Sequence, residues 1–400
     1  MQTRPVVFEM TEGKNTPGQR VWDFLTPYRI GLLYIIAFTA ASVAQYYKPQ
    51  TGEYTNYNNY VIFKQAFFHL LEGKDLYIMY PQECWDLFKY SPAFALFMGL
   101  FAWMPDIAGL TLWNLLNAMV LWYAFATFPA ATSRQKAFML LYVFLELLTS
   151  VQNAQSNGLI AGLIILAFNR LEKGHTAMPA LFITLTVFIK LFGLVAFALF
   201  LLYRPKVRLA AWTVLWTVLL AFVPVVFSGV NGLIFQYKSW WKMLGEDHSA
   251  SVGLSVMGWM QTWFGYAGSK TVVTLAGVLL FCLPLVKVKQ YGDFMFRALL
   301  LASVLLWVII FNHKAESPTF VIAVAGVAIW YFMQPKQGWK TALVVLAFVL
   351  TSLSPTDLFP KPVRDQLVNP YVFKAVPCIF IWAIIIYEMI FKRYAKYEQV

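Results

Sequence analysis

Apolar residues in this chain come in runs separated by short polar breaks, and the run lengths predict helices that cross a membrane. An upright helix needs about 20 apolar residues to span the hydrocarbon core. The runs are Ile30–Gln45, Pro92–Trp103, Ile107–Phe128, Ala137–Val151, Gly158–Phe168, Ala177–Tyr203, Leu209–Phe227, Val272–Val286, Ala298–Phe311, Thr319–Phe332, Thr341–Leu353 and Tyr371–Phe391. They predict an all-α, polytopic transmembrane bundle with an even number of spans, about 10 to 12 by the length rule, forming one integral-membrane domain over residues 1–400. Several runs are too short to cross upright and unaided. The longest stretch without a span is Tyr46–Tyr90, and it holds an amphipathic pattern of its own. Tyr60, Phe63, Phe67, Phe68 and Leu71 recur at helical spacing, with Lys64, His69, Glu72 and Lys74 elsewhere around the helix, which predicts an element lying in the membrane interface.

Composition removes the soluble alternative. Of 400 residues 60% are apolar and 12% charged, against about 25% charged in ordinary soluble domains. The 31 Lys+Arg and 19 Asp+Glu leave a net charge of +12. No basic run interleaved with stacking aromatics points to nucleic acid. Three cysteines, Cys84, Cys282 and Cys378, cannot all pair and set out neither a disulfide framework nor a zinc site.

Basic residues orient the spans, because cytoplasmic loops collect Lys and Arg. Arg204–Arg208, Lys287–Arg297, Lys336–Lys340 and Lys392–Lys396 are read as cytoplasmic, as are residues 1–28 and the tail 392–400. The segments Tyr46–Tyr90, Ser228–Lys270, Asn312–Pro318 and Ser354–Pro370 then converge on the exoplasmic side. Between Pro92 and Tyr203 two readings compete. Counting every run as a crossing puts Arg134, Lys136, Arg170 and Lys173 outside, against the charge rule. The favoured reading joins Pro92–Phe128 into one bent passage and folds Ala177–Tyr203 into two half-spans that meet near Lys190. It places Gln152–Asn157 outside.

Three polar breaks carry the candidate chemistry. The first is the loop holding Lys74, Asp75, Tyr77, Tyr80, Glu83, Trp85, Asp86, Lys89 and Tyr90, read either as an interfacial anchor or as a polar cavity wall. The second is Gln152-Asn153-Ala154-Gln155-Ser156-Asn157, with five amide or hydroxyl side chains in six positions. Such groups line a cavity or join helices, because unpaired amides are costly in hydrocarbon. Lys190 is the only charge in a 27-residue apolar run, which marks either a functional site or a snorkelling side chain. The third break is Asn312-His313-Lys314-Ala315-Glu316-Ser317-Pro318. It is either a solvated turn or a group of catalytic types, with His313 suited to proton transfer, Glu316 to general-base work and Lys314 to a phosphate charge.

The ordered set of these segments resembles glycosyltransferase family 87, polyprenyl-phosphate-mannose-dependent α-mannosyltransferases of the GT-C membrane class. The resemblance rests on Asn58–Ser91 with LEGKDLY (Leu71–Tyr77) and Tyr90-Ser91-Pro92, on the LWNLLNA span, on QSN (Gln155–Asn157), on IKLFG (Ile189–Gly193) and on NHKAESP. It extends in order over most of residues 30–330, and no single motif is diagnostic. One departure stands out: where the family carries a catalytic aspartate before the amphipathic helix, this chain has Asn58-Asn59-Tyr60. An amide cannot take a proton as a carboxylate does.

The resemblance implies transfer of a hexose, mannose first, from a polyprenyl-phosphate sugar to a lipid or glycan acceptor. It also implies a multi-pass protein of a bacterial cytoplasmic membrane with its site facing the periplasm. Catalysis is expected from Glu316, Asp86, His313 and position 59, with Glu316 or Asp86 the first choice of base. Substrate contacts are expected from Asn58, Lys89, Tyr90, Gln152, Asn153, Gln155, Asn157, Lys190, Lys314 and Ser317. The partners are membrane lipids, the donor and the acceptor; no nucleic acid, cofactor or metal is expected, since a monophosphate donor lacks the diphosphate that cations commonly bridge. Two alternatives remain at this point: a lipid or glycolipid flippase with a path past Lys190, and an inactive relative. The two similar halves common in transporters are absent from the sequence pattern.

Overall fold

The computed structural model describes residues 25–50, 52–246 and 251–392. The expected cytoplasmic segment up to residue 24 and the tail from 393 lie outside the described residues. Regular structure among the described residues is helical throughout.

The first helix, α1 (Pro27–Tyr47), starts where the Thr26 side chain accepts from Arg29 N and Pro27 opens the first turn, two devices that stop a helix from extending backwards. The interfacial helix α2 (Asn58–Leu71) follows, then α3 (Pro92–Ala102), α4 (Asp106–Ala126), α5 (Ser133–Gln152), α6 (Asn157–Leu171) and α7 (Ala177–Ile189). Contacts fix their directions. Tyr34 Oη donates to Leu140 O at 2.7 Å and Gln45 Nε2 to Gln152 O at 2.6 Å, so α1 and α5 run parallel. Trp122 Nε1 donates to Pro27 O at 2.8 Å and Asn114 Nδ2 to Ser42 Oγ at 2.9 Å, so α4 runs against them. Leu159 N donates to Asn117 Oδ1 at 2.9 Å and Asn169 Nδ2 to Ala124 O at 2.8 Å, so α6 runs beside α4.

These directions settle the middle of the chain. The bundle has a basic end, carrying Arg134, Lys136, Arg170 and Lys173, and an opposite end where the polar loops gather. Helix α3 packs against α2 at that polar end and leads into α4 as one bent passage. Gly99 gives room to the Phe67 ring, and Gly109 lies so close to the Tyr60 hydroxyl that an added Cβ would stand 1.9 Å from it. The run Ala177–Tyr203 breaks as favoured: α7 ends at Ile189, Lys190 is extended (φ −142°, ψ 136°), and a 3-10 segment, Leu191–Leu202, returns to the basic end. There the Tyr203 phenol donates to Glu172.

The second half completes the bundle with α8 (Lys206–Phe222), α9 (Val225–Glu246), α10 (Val256–Phe264), α11 (Lys270–Cys282, continued by Leu283–Val286), α12 (Phe294–Ile310), α13 (Phe320–Phe332), α14 (Gly338–Ala347, continued by Phe348–Leu353) and α15 (Val376–Phe391). The expected span Leu209–Phe227 ends early. Between α8 and α9 the chain bends by 90°, where Pro224 lacks the N–H that a continuing helix needs. Val225–Phe227 form a short helical turn that a second break, at Gly229 (φ 66°, ψ 174°), separates from the rest of α9, which lies over the first loop: Gln236 Nε2 donates to Lys74 O at 2.7 Å, and Ser239 Oγ to Asp75 Oδ1 at 2.7 Å.

Among the described residues only α1 and α4 are single helices long and apolar enough to cross a membrane alone; most of the others are apolar helices of 10–17 residues, and α8 and α9 form a bent pair. The short helices cohere by packing and by buried ion pairs. Glu172 with Arg297, Glu146 with Lys374 and Glu388 with Lys340 each close to 2.6 Å. Lys340, expected in a cytoplasmic loop, is thus inside the bundle, held in the first turn of α14. His69 is a second correction. It turns inward from the supposed polar face of α2, stacks on Tyr80 with ring centroids 4.0 Å apart, and lies 3.0 Å from Glu83.

Candidate active site

Four loops meet at the polar end, and hydrogen bonds to their backbone carbonyls hold them together. Asn59 Nδ2 donates to Asn153 O at 2.8 Å, Trp113 Nε1 to Ala154 O at 2.8 Å, and Leu254 N to Ala315 O at 2.9 Å. Gly253, at φ 55°, passes so close to His313 O and Ala315 N that a Cβ would collide with both. Ser91 caps α3 and also donates to Phe188 O at 2.6 Å, which brings Tyr90 next to the break at Lys190.

Lys190 is the centre of the cluster. Its ammonium donates to Asn157 Oδ1 at 3.1 Å and Gln155 Oε1 at 3.2 Å, and lies 5.6 Å from the centroid of the Tyr90 ring. The Asn157 amide donates in turn to Gln155 Oε1 at 2.9 Å and Pro318 O at 3.0 Å. Gln155 Nε2 reaches Glu316 Oε2 at 3.3 Å. Three separate breaks in the apolar pattern therefore join in one chain, Lys190 to Gln155 and Asn157 to Glu316. Glu316 is exposed, and its Oε1 carries no hydrogen bond among the described residues.

The first loop forms the opposite wall. Asp86 is fully engaged: Oδ1 accepts Leu87 N at 2.7 Å and Oδ2 pairs with Lys89 at 2.9 Å. Tyr90 stacks on Phe94 with centroids 4.7 Å apart, and burial pushes its phenol well above the ordinary range, so it stays a hydrogen-bond donor. Burial also pushes up the Cys84 thiol, which argues against a thiolate nucleophile there.

The remaining expected residues divide. Asn58 Oδ1 accepts Trp85 N at 3.1 Å, Gln152 meets Gln45 through its carbonyl, and Asn153 Nδ2 donates to Thr149 O at 2.8 Å. The Asn153 contact closes the end of its own helix, and those of Asn58, Gln152 and Asn59 join segments of the polar end. Among the described residues none joins the Lys190–Glu316 chain by its side chain. His313 and Lys314 are half-buried in the late loop, and Ser317 Oγ is buried without a partner among the described residues.

Beside the cluster runs a groove of about 630 Å³ walled by the 3-10 segment, α11 and α12. Leu194, Val195, Val308 and Phe311 make it apolar, and Lys270, Asn312 and His313 stand at its polar end. Trp307 Nε1 and Asn312 Nδ2, both in groove-lining residues, are buried donors with no partner among the described residues. The sequence read Trp307 only as part of a span, and an isolated indole in an apolar run gives no signal of such a role. The clamp of Gln236 and Ser239 on the first loop was equally invisible, since it joins positions some 160 apart.

The fold and the cluster define a polytopic helical membrane protein with a polar site at one end of its bundle and an apolar groove beside it, whose Phe192 ring lies 5.6 Å from Lys190 Nζ. The model of glycosyltransferase family 87 matches residues 88–355, more than half of the chain, and the chain belongs to that family. It is therefore a glycosyltransferase. The matched stretch contains the Lys190–Glu316 cluster and the groove; Asn58 and Asn59 precede it. No curated protein matches the chain.

Proposed function

We propose that the chain moves a hexose, mannose first, from a polyprenyl-phosphate sugar to a lipid or glycan acceptor on the exoplasmic face of a bacterial membrane. The observation that carries this reading is the Lys190–Gln155–Glu316 chain beside an apolar groove. A cation, a carboxylate and a path for a lipid tail are the three things this chemistry asks of a protein.

The groove takes the first prenyl units, and its polar end, with the unpartnered Trp307 and Asn312 donors, receives the phosphate. The acceptor hydroxyl attacks the anomeric carbon as the bond from that carbon to the phosphate oxygen breaks. Its proton passes to Glu316, and polyprenyl phosphate leaves with the bond's electron pair. Lys190 stabilises the charge developing on the leaving phosphate, a task in which a preorganised donor contributes about 3–4 kcal/mol. Glu316 is favoured over Asp86 as base because Asp86 already spends both oxygens on Leu87 and Lys89. Asp86, Lys89 and Tyr90 then form the wall against which the sugar or acceptor rests. No metal is assigned a task, since the leaving group is a monophosphate facing a lysine.

The test is transfer of radiolabelled mannose from polyprenyl-phosphate-mannose to membrane lipid extract by the purified protein. Turnover by the wild type and none by Glu316→Gln is the expected result. Equal turnover by Glu316→Gln would overturn the assignment of the base, and a wild type that binds the donor yet transfers only another sugar would overturn mannose.

A further inference from the structure

A cavity of about 1510 Å³ lies at the other end of the bundle, and the proposed transfer does not use it. Its lining includes Lys173, Arg204, Lys206 and Lys289, all exposed, together with the Glu172–Arg297 pair. Glu172 is the only acidic residue of the lining, and its carboxylate is already taken: Arg297 Nε and Nη2 hold it at 2.6 and 2.8 Å, and the Tyr203 phenol donates to it as well. None of the four exposed cations makes an ion pair with a described residue.

Membrane orientation alone asks only that basic residues fall in loops near span ends; it does not ask that they surround one hollow. Here three segments, widely separated in sequence, deliver their cations to a common cavity. The rim is apolar on the side of the 3-10 segment and of the connection after α11, where Leu201 and Val288 are 44% and 64% exposed. Cations within and exposed aliphatic side chains at the lip suit an amphiphile with an anionic head.

We propose that this cavity binds the phosphate ester of an anionic phospholipid from the leaflet at the basic end, with the acyl chains passing over Leu201 and Val288. The Glu172–Arg297–Tyr203 group forms its rigid floor, and Lys173, Arg204, Lys206 and Lys289 contact the phosphate.

The test is native mass spectrometry of the detergent-solubilised full chain titrated with phosphatidylglycerol, phosphatidylcholine and soluble glycerol phosphate. Phosphatidylglycerol is expected to be retained over phosphatidylcholine by about tenfold or more, given the attraction of each basic side chain for anionic lipid. The preference is expected to vanish in Lys173→Gln/Arg204→Gln/Lys289→Gln and to persist in Lys361→Gln, far along the chain from the cavity. Should the triple variant not fold, Lys289→Gln alone is expected to lower the preference about threefold. A preference unchanged in a folded variant, or absent from the wild type, overturns the site. Glycerol phosphate binding as tightly as the lipid overturns the lipid and leaves a soluble phosphate ester as the ligand.

Discussion

Lys190 Nζ and Asn157 Oδ1 lie 3.1 Å apart across 33 positions of sequence, and the orientation of that amide is forced. Asn157 Nδ2 is spent on Gln155 Oε1 and Pro318 O, so only its oxygen can face the lysine. The pair fixes the ammonium where α7 gives way to the 3-10 segment. Lys190→Ala is expected to lower kcat about 100-fold or more, the loss typical of removing a preorganised donor, with the fold retained in detergent. Lys190→Arg is expected to recover part of the rate. Equal rates for wild type and Lys190→Ala would remove the lysine from the mechanism.

Glu316 and Asp86 make separable predictions because their hydrogen bonding differs. Glu316 is exposed with one oxygen open, so Glu316→Gln keeps the shape and loses the proton acceptor; kcat should fall about 100-fold or more. Asp86 is tied to Leu87 N and Lys89, and Asp86→Asn should raise KM more than it lowers kcat. Steady-state kinetics on both variants decides the matter, and a larger kcat loss at Asp86 would exchange their roles.

The resemblance of Asn58–Tyr60 to a segment that elsewhere carries an aspartate invites Asn59→Asp as a gain of function. The structure argues the opposite. Asn59 Nδ2 donates to Asn153 O at 2.8 Å, and an aspartate would set a carboxylate against that carbonyl. The variant is expected to lose about 1–2 kcal/mol of stability and to gain no activity. A melting curve and the transfer assay together check this, and faster transfer by the variant would restore position 59 to the chemistry.

These contrasts mark what the sequence made legible. The helical spans follow from runs of apolar residues, and helix limits fall mostly within a few positions of those runs because lipid tolerates little else. Charge alone identified the break at Lys190 and the bent passage through Pro92–Phe128. Patterning failed where contacts are long-range. Glu146 and Lys374 pair across 228 positions, and nothing local in either segment announces the other. It failed also at Val225–Phe227, where the apolar run continues past the bend at Pro224 although the helix does not.

The Glu146–Lys374 pair gives a stability prediction. Glu146 is fully buried, Lys374 Nζ lies 2.6 Å from its Oε1 and also donates to Thr351 O at 2.8 Å. Removing one partner leaves an uncompensated buried charge, so Lys374→Met should cost about 3–5 kcal/mol, whereas Glu146→Leu/Lys374→Met should recover most of that loss. Denaturant titration of both variants is the measurement. A double variant no more stable than the single would show that the pair orders the region rather than neutralising itself.

In the proposed reaction the groove would separate the donor's tail from its head, and that division can be read kinetically. Leu194 is 55% exposed and lines the groove with Thr274 across from it on α11. Leu194→Trp narrows the passage without touching Lys190 or Glu316. A long-chain polyprenyl donor buries several methylene-sized units there, each contributing about 0.8 kcal/mol, so displacing two of them should raise its KM about tenfold. A donor too short to enter the groove loses nothing, and its KM should stay at the wild-type value. Because the reacting groups are untouched, kcat should be unchanged for both. A uniform fall in kcat for long and short donors would mean that the substitution distorts the site, and an unchanged KM for the long donor would place the prenyl chain elsewhere on the bundle.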